Sequence, residues 1–124
     1  MPLEFVFEGK SFSVWAWADH ECLFYEFLDK LQVEGNKDAE RILYLIKRTA
    51  ENGPVKNEQQ CKLLEDGIYE FKAPKGARVL WFYDQGQMII CTHGFVKKKK
   101  KTPRVEIDRA KKIRRQYFEE KGND

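Results

Sequence analysis

Five ionisable side chains fall on or beside what reads as one stretch of sheet: Glu70, Lys72, Arg78, His93 and Lys97. A guanidinium grips phosphate through two parallel N–H bonds, and an ammonium binds it as a point charge. An imidazole moves protons near neutral pH, and a carboxylate can accept one or orient a cation. Lys72 and Arg78 flank the turn Ala73-Pro74-Lys75-Gly76, so antiparallel pairing brings the two cations together. Like charges facing each other across strands are destabilising, which suggests an anion between them. The rival reading is two exposed charges splayed into water, where such pairs interact weakly. For His93 the rival is a packed, hydrogen-bonded structural residue.

Lys97, Lys98, Lys99, Lys100 and Lys101 sit at a junction. Residues 91–93 read as the end of a buried strand. The lysines read as a loop, because five consecutive ammonium groups must stay in water. Thr102 suits the N-cap of a following helix and Pro103 its first position, and Glu106 lies near the positive end of its dipole. Arg104, Lys111 and Arg115 fall close together on that helix. From Gly94 onward, 12 Lys and Arg against 5 Asp and Glu leave a local charge of +7 within a chain of +3 overall, so the preceding part carries −4. That asymmetry points to a polyanion at the C-terminal end, with a merely solvated basic tail as the alternative.

Positioning these groups requires a sheet. Residues 3–17 alternate apolar and polar around the turn Glu8-Gly9-Lys10-Ser11, the pattern of a β-hairpin. Asp19 is placed to cap a helix over about residues 21–31, whose Phe24, Phe27, Leu28 and Leu31 share a face. A second helix carries Ala39, Ile42, Leu43, Ile46 and Ala50 on one side and stops at Asn52-Gly53-Pro54. Strands over 68–72, 78–83 and 88–93, joined by short turns, make an antiparallel meander. The last helix buries Ile107, Ala110, Ile113 and Tyr117. The expectation is one α+β domain over residues 1–124. Its small antiparallel sheet, hairpin plus three-strand meander, is covered by a helical hairpin and followed by a C-terminal helix. Trp15 and Trp17 share a strand face and are the aromatics best placed to stack bases, although packing within the hairpin explains them equally.

With 42% apolar and 14% aromatic residues among 124, the chain can bury a core without disulfides or metals. No apolar run approaches the ~20 residues of a membrane span, and Met1-Pro2-Leu3-Glu4 does not read as a signal peptide. Cys22, Cys61 and Cys91 are widely spaced, without a CxxC, beside only two histidines. No metal or other cofactor is expected, and a cytoplasmic setting with reduced thiols is. Cys91 has only His93 as a conceivable activating partner, and the cysteines read as small buried hydrophobes.

Several blocks are familiar in order and spacing. Lys62-Leu63-Leu64-Glu65-Asp66-Gly67-Ile68-Tyr69-Glu70-Phe71-Lys72, Arg78-Val79-Leu80-Trp81-Phe82, His93-Gly94-Phe95-Val96-Lys97-Lys98, and Lys101-Thr102-Pro103 with Glu106, Ile107 and Ala110 resemble the RelE/HigB-like toxins, in particular their phage-derived Gp49-like branch. The resemblance covers residues 62–110. It implies a RelE/ParE-like fold and the toxin of a type II toxin–antitoxin pair. Such a toxin is an mRNA interferase that cuts message, usually on the ribosome, by metal-independent attack of the RNA 2′-hydroxyl. Its usual partner is a cognate antitoxin, often a helix-turn-helix protein. By the same resemblance Arg78 stabilises the transition state, Glu70 is a base or an orienting group, and Lys97 and Lys98 form the basic pair after the aromatic. Lys72 stands where the family usually has arginine, keeping the charge but not the fork. Beyond Tyr117 on the buried stripe, no acid–base tyrosine or histidine follows, so His93 is the candidate for that role.

The catalytic set expected is therefore Arg78, Lys72, Glu70, His93 and Lys97, with Lys98, Lys99, Lys100, Lys101 and Arg104 binding RNA. Two other functions fit the same residues: a ParE-like gyrase inhibitor, and a phage-derived RNA-binding protein that has lost catalysis. Neutralising Lys97 to Lys101 should lower the slope of log affinity against log salt by ~0.7 per lost contact to single-stranded RNA. An unchanged slope in a filter-binding titration would mean that the lysines only solvate a loop.

Overall fold

The computed structural model describes residues 2–98 and 100–122. The hairpin forms as expected: β1 (Leu3–Glu8) and β2 (Ser13–Trp17) pair antiparallel, with Leu3 opposite Trp17. Helix α1 (Leu23–Val33) begins after Cys22, which makes no side-chain cap bond, so Asp19 does not cap it. Helix α2 (Asp38–Asn52) closes on Gly53, whose φ of 84° costs a glycine nothing. Strands β3 (Cys61–Glu65), β4 (Ile68–Lys72), β5 (Ala77–Asp84) and β6 (Met88–Val96) follow, then helix α3 (Arg104–Gly122). No helix among the described residues is long and apolar enough to cross a membrane.

The architecture is α+β, but two expectations about the sheet need correction. The meander has four strands, because β3 pairs with β4. Asp66 and Gly67 join them with φ of 49° and 78°, the positive dihedrals that suit a tight hairpin turn. Lys62-Leu63-Leu64-Glu65 lacks a clean two-residue alternation, and the register slips between Leu63 and Glu65, so periodicity does not reveal the strand. The sheet is also mixed rather than antiparallel. Its order is β1-β2-β6-β5-β4-β3, and β2 runs parallel to β6 from Ser13–Met88 to Ala16–Cys91. The chain between them supplies the long crossover that a parallel pair needs.

Helices cover both faces. Val79 and Trp81 of β5 pack with Phe24, Phe27, Ile42 and Ile46 of α1 and α2. Leu80 and Phe82, on the alternate positions, pack with Ala110, Ile113 and Tyr117 of α3. Trp17 is buried on this second side, its ring centroid 6.3 Å from that of Tyr117. Trp15 packs edge-on to Phe5 at 5.3 Å. Trp17 is therefore no stacking platform, and Trp15 is half-buried.

Two contacts fix the elements that lead into the polar face. Asp38, buried at the start of α2, accepts the N–H groups of Lys75 at 3.1 Å and Ala77 at 3.0 Å, pinning the β4–β5 turn. Helix α1 lies so close to β6 that a Cβ on Gly94 would fall 2.1 Å from Phe27 Cδ2. The spacing of His93, Gly94 and Phe95 thus has a steric reason: the central residue must leave room for Phe27. Gly94→Ala should destabilise the fold by about 1–3 kcal/mol through overpacking. Urea denaturation checks this. Adding Phe27→Ala should cost less than the sum of the two single changes, because the two sites share one space.

Candidate functional site

Glu70 is the centre of the polar face. Strand alternation puts it on the α3 side with Ile68, and its carboxylate is only 1% exposed. A buried charge must be paired or hydrogen-bonded. Thr102 Oγ1 donates to Oε2 at 2.5 Å, and Arg78 Nε lies 4.0 Å from Oε1. The Thr102 hydroxyl is therefore committed to Glu70 rather than to the expected cap. The Pro103 carbonyl instead accepts the first-turn N–H groups of Glu106 at 3.0 Å and Ile107 at 3.4 Å.

Lys72 and Arg78 do face each other across β4 and β5. The anion beside them comes from the chain itself. Arg78 Nη1 donates to the Ala73 and Ala77 carbonyls, both at 2.9 Å, while its buried Nε has no hydrogen-bond partner and is turned toward Glu70. The Lys72 ammonium donates to the Glu58 carbonyl at 3.1 Å. The Lys97 N–H donates to the Gly76 carbonyl at 2.7 Å. Gly76 sits at φ 101°, where a Cβ would come within 3.0 Å of the Lys97 carbonyl. Partial burial holds the Lys97 ammonium below the usual lysine range; Glu70 opposes this, and Arg78, Lys72 and Lys62 add to it.

These groups open on a cavity of about 300 Å³ whose walls include Glu70, Lys72, Lys97, Lys100 and Lys101. Lys62 and Thr102 also line it and were not expected there. Lys62 comes from β3, where pairing places it opposite Glu70. Only recognition of that strand would have signalled it. A carboxylate amid ammonium groups can take a proton from a hydroxyl, and the surplus cations can hold phosphate oxygens.

Other expected residues lie elsewhere. His93 is buried, with Nδ1 2.9 Å from Thr92 Oγ1 and Nε2 3.0 Å from Glu106 Oε1. Burial holds its imidazole below the ordinary range; Glu106 opposes this and Arg109 adds to it. The register slip between Leu80 and Trp81 accommodates Thr92 as an extra residue, leaving Cys91 in the α1–α2 core and His93 bonded to α3. They do not form a Cys–His pair, and burial pushes the Cys91 thiol well up. Arg104 reaches the cavity edge, but its fork is closed on Glu65, with both N–O distances 2.7 Å. Lys98 is exposed outside the cavity, and Lys99 lies outside the described residues.

Hydrogen bonds from Arg104 and then Lys111 hold the Glu65 carboxyl down at about 2. A lowered carboxylate pKa contributes stability that is present above the unfolded value and lost as pH falls. The wild-type advantage over Glu65→Gln in urea midpoint should therefore shrink between about pH 4.5 and about pH 2. A difference that stays constant across that window would mean the ion pair contributes nothing.

A family model described as phage-derived protein Gp49-like (DUF891) matches residues 26–115, from α1 into α3. The hairpin β1–β2 precedes the matched region. No curated protein matches the chain. With most of its length matched, including the strands and loop that build the cavity, the chain belongs to the Gp49-like family of phage-derived proteins, a toxin-like family.

Proposed function

We propose that the chain is the toxin of a type II toxin–antitoxin pair, on a RelE/ParE-like fold. In this reading it is a RelE/HigB-like mRNA interferase that cuts message on the ribosome without a metal. The observation that supports it is the cavity in which Lys62, Lys72, Lys97, Lys100 and Lys101 surround the buried Glu70 carboxylate. Five ammonium groups around one carboxylate leave a positive surplus suited to a sugar–phosphate backbone.

In the reaction the RNA 2′-hydroxyl attacks the adjacent phosphorus, and the bond to the 5′-oxygen of the next nucleotide breaks. The products are a 2′,3′-cyclic phosphate and a 5′-hydroxyl. Glu70 takes the 2′-hydroxyl proton, and Lys97, its pKa already lowered by burial, supplies one to the leaving oxygen. Lys62 and Lys72 offset charge on the pentacoordinate phosphate. Arg78 holds the Glu70 carboxylate in place. Lys98, Lys100 and Lys101 bind flanking phosphates. His93 and Arg104 have no part in this scheme, because Glu106 and Glu65 occupy their polar groups. The cognate antitoxin, a helix-turn-helix protein in this reading, neutralises the toxin by covering the basic surface.

Primer extension on message from induced cells tests the reading. Breaks within codons are expected for the wild type, at least ~100-fold fewer for Glu70→Gln and Arg78→Ala, each shown to be folded by circular dichroism. Intact message with damaged DNA would favour gyrase inhibition instead. A folded Arg78→Ala protein that cut and killed like the wild type would sink the proposal.

A further inference from the structure

Strand β6 outruns one of its neighbours. β2 accompanies it only from Met88 to Cys91, whereas β5 accompanies it to Val96. One bond sets the phase of the longer ladder: the Lys97 N–H donates to the Gly76 carbonyl at 2.7 Å. Hydrogen-bonded and non-bonded pairs alternate in an antiparallel ladder. Phe95–Arg78 is therefore a bonded pair, and Gly94–Val79 and Val96–Ala77 are not. The N–H and C=O groups of Gly94 and Val96 point away from β5, toward the side that β2 has left. Among the described residues they form no backbone hydrogen bond outside the sheet.

That side is a cavity of about 650 Å³ between α1 and α3, walled by Phe27, Leu31, Phe95 and Arg109 and reached by Gly94 and Val96. Backbone groups in such a place call for partners, and an open strand edge is a template for another strand. We propose that this slot takes an extended peptide from a partner protein, added as a strand beside residues 94–96. The walls define the peptide. Its side chains alternate between faces. Those on the α1 side meet the rim of Glu26, Lys30 and Glu34 above the buried Phe27 and Leu31, and are small and uncharged. Those on the α3 side meet Arg109, which forms no ion pair among the described residues, and are acidic. Lys30 and Lys98 line the slot beside Glu26 and Glu34, so charge alone does not choose the occupant. Nucleic acid fits less well because it carries no alternating N–H and C=O groups to pair with a strand edge. The slot is separate from the Glu70 cavity and does not depend on RNA cleavage.

The probe is a capped peptide, Thr-Glu-Val-Glu-Thr, added at millimolar concentration to isotope-labelled full-length protein and followed by amide hydrogen exchange. In the free protein the Gly94 and Val96 amides should exchange at least ~10-fold faster than the ladder-bonded Phe95 amide, and the peptide should slow them by a similar factor. Methylating every backbone nitrogen of the peptide should abolish the effect. Arg109→Ala should weaken binding about threefold for this peptide but not for its glutamine counterpart. Protected Gly94 and Val96 amides in the free protein would overturn the proposal, as would equal binding of the methylated peptide. So would an oligouridylate that perturbs these amides where the peptide does not.

Discussion

A carboxylate placed almost wholly out of water governs the polar half of this protein. Glu70 is 1% exposed on a strand, and leaving a buried charge unpaired costs about 3–5 kcal/mol. Its partners therefore have to arrive from elsewhere in the chain. Thr102 comes from the far end of the lysine loop, and Arg78 from the neighbouring strand. The loop's near end is tied by the bond from Lys97 to Gly76. With both ends held, ammonium groups that would otherwise disperse into solvent are turned over the sheet, where the surplus charge forms a cavity rather than a tail.

The same economy explains where the other C-terminal cations go. Helix α3 is held down by acidic groups at strand ends. Arg104 and Lys111 meet Glu65, Lys111 also meets Asp66, and Lys121 and the Tyr117 hydroxyl meet Asp84. Those bonds seat the apolar stripe of Ile107, Ala110, Ile113 and Tyr117 against the sheet. A basic helix thus divides its charge. Part docks the helix, and the cationic surface left for a polyanion lies mainly in the loop. His93 and Glu106 make a further tie between β6 and α3, which is why the histidine is buried and not poised over the cavity.

The opposite face carries a different constraint. Phe27 of α1 presses on β6 where Gly94 has no side chain, and Asp38 of α2 accepts two N–H groups of the β4–β5 turn. The helical pair therefore sets the height of the strand and the shape of the turn from which Lys97 and Arg78 depart. It also leaves the outer edge of β6 open beyond the end of β2.

Much of this was legible in local pattern. The hairpin, the two covering helices, the three later strands and the last helix follow from periods of two and 3.6 and from glycine and proline punctuation, which depend only on neighbours in the chain. Of the residues expected at the site from strand order and the loop, Glu70, Lys72, Lys97, Lys100, Lys101 and Arg104 line one cavity, whereas His93 and Lys98 lie outside it. Other features were not local. β3 was hidden because its alternation is broken, and Lys62 with it. The parallel pairing of β2 with β6 joins residues more than seventy apart, so no window of sequence contains it. Whether a cation is free or engaged was likewise undecidable, since Arg104 is closed on Glu65 and Arg78 turned toward Glu70 by contacts between elements. Sequence by itself determined the helices, every strand but β3, and where positive charge accumulates. Tertiary structure alone decided which of those charges meet a carboxylate, because that depends on distance across the fold, and distance is what packing sets.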